Sequence, residues 1–225
     1  MSWWRWLAML AVIACPVRAA AQGTGFVHRL EVTGGIGYVT GAALGTADAT
    51  LRANAVSPQT FTLFTTDTTI HGSVTGELRV GTWLTRRIGV EGRLGYGRPD
   101  VATSVHADAE GAAAIAVVER IDQFVIDAGI LFRLDEMRIG QLVPFAGGGA
   151  GYLRQVHEGL ALIEDGHVYH LGGGVSRDLV TRAHGIVRAA GLRADARVYF
   201  LSGGVSVTDR TTTHGSFTGE LFVRF

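Results

Sequence analysis

Apolar and polar residues alternate one by one through eight stretches of this chain, the mark of extended strands with two unlike faces. The first, residues 29–40, sets Leu30, Val32, Gly34, Ile36 and Tyr38 against Glu31 and Thr33. The second, 68–84, sets Val74, Gly76, Leu78 and Val80 against Ser73, Thr75, Glu77 and Arg79. In the third, 88–97, Ile88, Val90, Gly92, Leu94 and Tyr96 oppose Glu91 and Arg93. In the fourth, 120–133, Phe124, Ile126, Ala128, Ile130 and Phe132 oppose Asp127 and Arg133. The fifth, 143–154, carries PFAGGGAGYL, whose glycines leave its facing open. The sixth, 167–178, shows Tyr169, Leu171, Gly173 and Val175 on its apolar side. The seventh, 187–201, sets Leu192, Ala194, Ala196, Val198 and Phe200 against Arg193, Asp195, Arg197 and Tyr199. The eighth, 215–225, turns Phe217, Gly219, Leu221, Val223 and Phe225 to the apolar side, with Glu220 opposite.

Two of these stretches are nearly one sequence. TTIHGSVTGELRV at 68–80 returns as TTTHGSFTGELFV at 211–223, with ten of thirteen positions identical. The connections also alternate in length. Residues 85–87, 135–142 and 179–186 are short or moderate, whereas 41–70, 98–119 and 155–166 are longer, and 202–214 is comparable to these. Each stretch is long enough for a tilted strand of roughly 9–11 residues to cross a bilayer, and an even count returns the chain to its starting side. A soluble β-sandwich would give no reason for the loop asymmetry or for the terminal aromatic Phe225. The pattern therefore predicts an all-β fold, an eight-stranded antiparallel up-and-down transmembrane β-barrel, with turns on one side and long loops on the other.

Composition supports an exported, folded protein. A 47% hydrophobic content excludes a disordered chain. Arg5, the apolar run 6–14 and the small residues Ala19, Ala20 and Ala21 read as a secretory signal over residues 1–21, leaving 22–225 as the barrel domain. The run Val12, Ile13, Ala14, Cys15 also fits a lipoprotein cleavage box that would leave Cys15 acylated; otherwise Cys15 departs with the signal and no disulfide can form. After residue 21, no apolar run approaches the roughly eighteen residues of a spanning helix.

Charge is informative in its placement. Every basic residue is arginine, and without Arg5 and Arg18 eighteen remain against twenty acidic groups, a net of −2. No basic stripe offers itself to nucleic acid. The charges fall on the polar strand faces: Glu31, Glu77, Glu91, Asp127, Asp195 and Glu220 against Arg79, Arg93, Arg133, Arg193, Arg197 and Arg224. An eight-stranded barrel is only wide enough for side chains to fill it, and buried charges must be paired. The expectation is an arginine–carboxylate network that closes the lumen.

Candidate chemistry is thin. His71, His106, His157, His167, His170 and His214 are placed in loops or strand ends on the long-loop side, without a short metal-ligand spacing. His71, Ser73 and Glu77, and their counterparts His214, Ser216 and Glu220, suggest a Ser/His/acid set. Parity turns His71, Ser73 and Glu77 into the lumen, and six residues of strand, about 20 Å, separate the histidine from the glutamate. Gly147 to Gly149 and Gly172 to Gly174 lack the Lys-Ser/Thr and the helix of a phosphate loop. The loop acids Asp100, Asp108, Glu110, Glu158, Glu164 and Asp165 read as solvated, with calcium or lipopolysaccharide-bridging cations as the alternative. No cofactor and no metal site is expected.

Taken together, the signal, the eight amphipathic strands, PFAGGGAGYL, GLRADARVYF and the ending FTGELFVRF resemble the small bacterial outer-membrane β-barrel superfamily that includes the OmpA- and OmpX-like barrels. The resemblance implies a place in the outer membrane of a Gram-negative cell envelope, contact with the bilayer and lipopolysaccharide, and a terminal strand read by the barrel assembly machinery through Phe217, Gly219, Leu221, Val223 and Phe225. It also implies a non-enzymatic structural or surface-interacting role, with an extracellular partner met by loops 41–70 and 98–119, where Phe61, Leu63 and Phe64 extend a hairpin above the membrane. Members of the superfamily are also narrow passive channels or small-ligand binders, and some are lipid-modifying enzymes.

Overall fold

The computed structural model describes residues 30–52, 59–111, 113–157, 162–205 and 211–225; the signal segment, its cleavage site and Cys15 lie outside them. Eleven strands follow in order: β1 (Leu30–Val39), β2 (Ala42–Arg52), β3 (Thr60–Ile70), β4 (Ser73–Trp83), β5 (Ile88–Gly97), β6 (Asp100–His106), β7 (Ile115–Arg133), β8 (Val143–His157), β9 (Ile163–Thr181), β10 (Ala189–Gly203) and β11 (Thr212–Arg224). Eight of them, β7-β5-β4-β1-β11-β10-β9-β8, are paired antiparallel, and the β7–β8 pairing closes the ring. This is the expected eight-stranded up-and-down barrel.

The alternation read from the sequence sets its polarity. Ile36 is 70% exposed on the outside and Phe217 64%, whereas inward-facing Arg79 is 1% exposed and Glu220 4%. A surface of this kind is stable only in contact with lipid, and closure leaves no strand edge there to be satisfied by water. No helix among the described residues is long and apolar enough to cross a membrane; the crossing is made by strands.

The barrel strands are joined at one end by 84–87, by 134–142 with its 3-10 turn at Asp135–Met137, and by 182–188. At the other end the chain departs from a barrel with loops. β2 pairs with β3, β3 with β6, and β6 with the first residues of β7, so the stretches 41–70 and 98–119 build a four-stranded sheet that stands above the rim. β7 is shared by both sheets, which is why it reaches 19 residues. Leu44, Ile70, Val101 and Ile121 form a small apolar core where this sheet meets the barrel mouth. Phe61, Leu63 and Phe64 lie in β3 of the extension.

The two repeat copies fold differently. The second is one continuous strand within β11, but the first breaks at His71 and Gly72, so its first residues belong to β3 and the remainder to β4. Gly72 carries the break because the Tyr38 hydroxyl occupies the place a β-carbon would need. His71 is consequently exposed, not lumen-facing as simple parity predicts. β8 is oriented by its bulkier residues: Phe145, Leu153 and Gln155 are buried inside, and Gly147, Gly149 and Gly151 share their face.

A candidate functional site in the lumen charge network

At Gly35 and Gly37 the inner face of β1 carries no side chain. Gly35 sits opposite Glu77 on β4 and opposite Glu220 on β11, so the two glutamates of the repeated sequence flank one glycine at the same height. Glu220 lies over that glycine, its Cγ 2.7 Å from where a Gly35 β-carbon would stand. The space so left admits Arg79 to the centre of the lumen. Its guanidinium lies 2.6 Å from Asp195, 2.6 Å from Glu77, 2.7 Å from Glu220 and 3.7 Å from Glu91. The contact with Glu220 is out of line with the N–H, so that carboxylate is held by charge and not by a hydrogen bond.

The network extends in both directions from Arg79. Toward the sheet extension, Arg93 donates to Asp127 and Tyr199 and reaches Glu77 at 3.1 Å. Toward the short-turn end, Arg193 and Arg197 converge on Glu91 at 2.9 Å and 2.8 Å, and Arg197 also reaches Asp195 at 3.2 Å. Thr218 donates to Asp195 at 2.6 Å. At the barrel base Arg224 pairs with Glu31 at 2.7 Å and with Asp178 at 3.4 Å. Arg133 has a different setting: half-buried, it stacks over the Trp83 ring at 4.1 Å. Glu31, Glu77, Arg79, Glu91, Arg93, Asp127, Arg193, Asp195, Arg197 and Glu220 are thus brought into one connected cluster, while Arg133 sits at its edge against an aromatic ring.

Three participants escaped the sequence reading. His170 was placed at the rim, but it is buried inside the barrel with Nε2 3.3 Å from Asp127 Oδ1 and its ring tilted against Tyr199. Its parity with the outward pair Tyr169 and Leu171 would have turned it inward. Glycine explains how it fits: a β-carbon at Gly149, its register partner on β8, would come within 2.7 Å of His170 Nε2. Thr218 and Asp178 likewise add contacts that charge counting alone does not supply.

Neither repeat copy brings its histidine, serine and glutamate together as a Ser/His/acid set. His214 Nδ1 is 2.9 Å from the Thr40 carbonyl, Ser216 is buried without a hydrogen-bond partner, and His71 lies outside the lumen. Among the described residues no group of three His, Cys, Asp or Glu side chains is placed to hold a metal ion. What the arrangement does chemically is fill space with matched charge. Above it remains a small chamber of about 30 Å³ bordered by Tyr199, Gln123 and His214, room for a water or two.

A closed eight-stranded antiparallel barrel, apolar without and ionic within, defines a β-barrel protein of the bacterial outer membrane. Solved structures of such proteins share this architecture. Neisserial surface protein A superposes with a TM-score of 0.54 at 11% identity, over 87% of this chain and 97% of that one. Ail, the attachment invasion locus protein of Yersinia pestis, solved with the heparin analogue sucrose octasulfate, gives a TM-score of 0.46 at 12% identity, over 89% and 100%. At 11% identity, what Neisserial surface protein A shares with this chain is the fold. No protein-family model matches the chain, and no curated protein matches it in sequence.

Proposed function

We propose that this protein is a non-catalytic, non-conducting barrel of the outer membrane whose working part is the sheet extension, held outside the cell to meet an extracellular partner. The observation that carries the reading is the lumen, whose charges are buried in hydrogen-bond and ion-pair contact with one another; a conducting state would require them to separate. The short turns then face the periplasm, and β2, β3 and β6 stand at the level of lipopolysaccharide and beyond. Replacing residues 44–68 by a short Gly-Ser linker tests both halves. Parent and variant should both refold to a heat-modifiable band and stay electrically silent in planar bilayers, and the variant alone should lose adhesion of expressing cells to host matrix or cell layers. Steady single-channel steps from the parent would favour a narrow passive channel instead. A change in lipid A acyl chains on expression, read by mass spectrometry, would favour a lipid-modifying enzyme.

The terminal strand carries a second part of the proposal. Phe217, Gly219, Leu221, Val223 and Phe225 form the outward face that the assembly machinery would read. Phe225 also donates its N–H to the Leu30 carbonyl at 2.8 Å, tying the end of β11 to the start of β1. Deleting Phe225 should sharply lower the amount of barrel in the outer membranes of cells. Refolding of the purified chain into detergent should be reduced much less, because that route needs no recognition. Equal losses in both assays would assign Phe225 to stability alone.

A further inference from the structure

The lipid-facing wall carries an open, mainly apolar groove of about 760 Å³ that runs from Leu30 at the start of β1 across β4, β5, β7 and β8, five neighbouring strands of the barrel. Its floor is the paired row Gly92, Ala128 and Ala150. The pair Val90 and Ile130 borders it toward the short turns. Barrel closure does not demand a glycine at 92: a β-carbon there would meet nothing nearer than main-chain oxygens at 3.9 Å and 4.0 Å. The wall is hollow here without a packing reason from inside.

The connections below the groove, 84–87 between β4 and β5 and 134–142 between β7 and β8, bring Arg86, Arg87 and Arg138 to its short-turn end. Arg87 is paired with Glu136 at 2.7 Å; among the described residues no acidic side chain pairs with Arg86 or Arg138. The three short turns together hold five arginines, Arg86, Arg87, Arg138, Arg182 and Arg188, against Asp135 and Glu136. Exposed Met137 and Ile139 in the same turn are 64% and 71% open, so the cationic groups stand where apolar surface gives way to headgroups.

From this juxtaposition we infer that the groove is a binding site for one anionic phospholipid of the inner leaflet, its acyl chain on the Gly92, Ala128 and Ala150 floor and its phosphate against Arg86 and Arg138. Arginine forks suit phosphate oxygens, and arginines at a membrane surface draw anionic lipid toward them. A second copy of the barrel is disfavoured as occupant, since two parallel copies would bring their arginine-rich turns together. The inference rests on the turns facing the periplasm, as the proposed function has them, but it is read by lipid retention and not by conductance or adhesion.

The test is native mass spectrometry of the barrel released from nanodiscs of equal phosphatidylglycerol and phosphatidylcholine. The wild type should retain phosphatidylglycerol over phosphatidylcholine by roughly tenfold. Arg86→Gln with Arg138→Gln should bring that ratio close to one. Gly92→Phe with Ala128→Phe, which fills the groove from the lipid side, should remove the retained lipid while heat-modifiability stays intact. Equal retention of the two lipids by the wild type, or full retention by the filled-groove variant, would overturn the site. A wild-type dimer that the filled-groove variant dissociates would assign the groove to a second copy. In a second set of nanodiscs containing equal lipid A and phosphatidylglycerol, preferred retention of lipid A would put these turns at the outer leaflet and overturn both the site and the orientation.

Discussion

Replacing Arg79 by methionine should destabilise the barrel by about 3–5 kcal/mol, the largest effect expected of any single change in the lumen. Arg79 lies 2.7 Å from Glu220, nearer than Arg193 at 3.6 Å, and it contacts Asp195 and Glu77 at 2.6 Å each. Methionine fills a similar volume, so the effect isolates charge from packing. It would leave several carboxylates with too little positive charge in a lumen too narrow to hydrate them fully. Urea titration of the heat-modifiable band in lipid vesicles measures it. Adding Glu220→Gln to Arg79→Met should restore part of the loss, because Glu220 is the member of the cluster held by charge without a hydrogen bond. A loss under about 1 kcal/mol would mean that water reaches the cluster and screens it as at a surface.

Gly35→Val should have the next largest effect, about 3 kcal/mol or failure to close. A β-carbon there collides with the Gly219 carbonyl and stands 2.7 Å from Glu220 Cγ and 2.8 Å from its Cα, so β1 and β11 cannot keep their spacing. The collision is with main chain, which cannot swing aside. Gly219→Ala, one position along β11 and facing lipid, supplies the control: nothing lies within 4 Å of its added methyl, and stability should stay within about 0.5 kcal/mol. The measurement is again the urea midpoint of the closed form. If Gly35→Val folds as well as Gly219→Ala, the tight approach of β11 to β1 is not what holds the seam.

The barrel was legible in the sequence because membrane and lumen impose opposite polarities on successive side chains. Val74, Leu78 and Val80 against Glu77 and Arg79 leave one arrangement that satisfies lipid and charge together. The extension was less legible. Alternation reports that a strand has two unlike faces but not which surroundings those faces meet, so β7, which runs through both sheets, reads as a strand only over 120–133. The Thr-rich β3 could be foreseen as a hairpin arm, whereas its pairing with β6, from Thr65 with His106 to Ile70 with Val101, joins residues far apart in the chain that no local pattern specifies. His71 and His170 show the two ways parity misleads. One turns out because a glycine breaks its strand; the other was set at the rim on loop length, although its neighbours Tyr169 and Leu171 already fixed its side. The members of the charge cluster could be named from facing alone. Their partners could not, since Arg79 meets Asp195 across the lumen at a height set by the stagger of the closed sheet.

The near-identical strands on either side of β1 make its pairing code degenerate. Gly37 faces Thr75 on one neighbour and Thr218 on the other, Ile36 faces Gly76 and Gly219, and Gly34 faces Leu78 and Leu221. Both neighbours run the same way relative to β1, so between Gly34 and Gly37 neither edge carries a distinguishing set of contacts; the edges differ only toward the ends, where Tyr38, Thr33 and Glu31 meet Val74, Arg79 and Gly81 on β4 but Phe217, Phe222 and Arg224 on β11. Connectivity adds to the distinction: β4 follows β1 through the β2–β3 hairpin, whereas β11 follows β10 and pairs with it. The hairpin that rises above the rim therefore also acts as an address label, assigning one of two nearly identical sequences to its edge of the first strand.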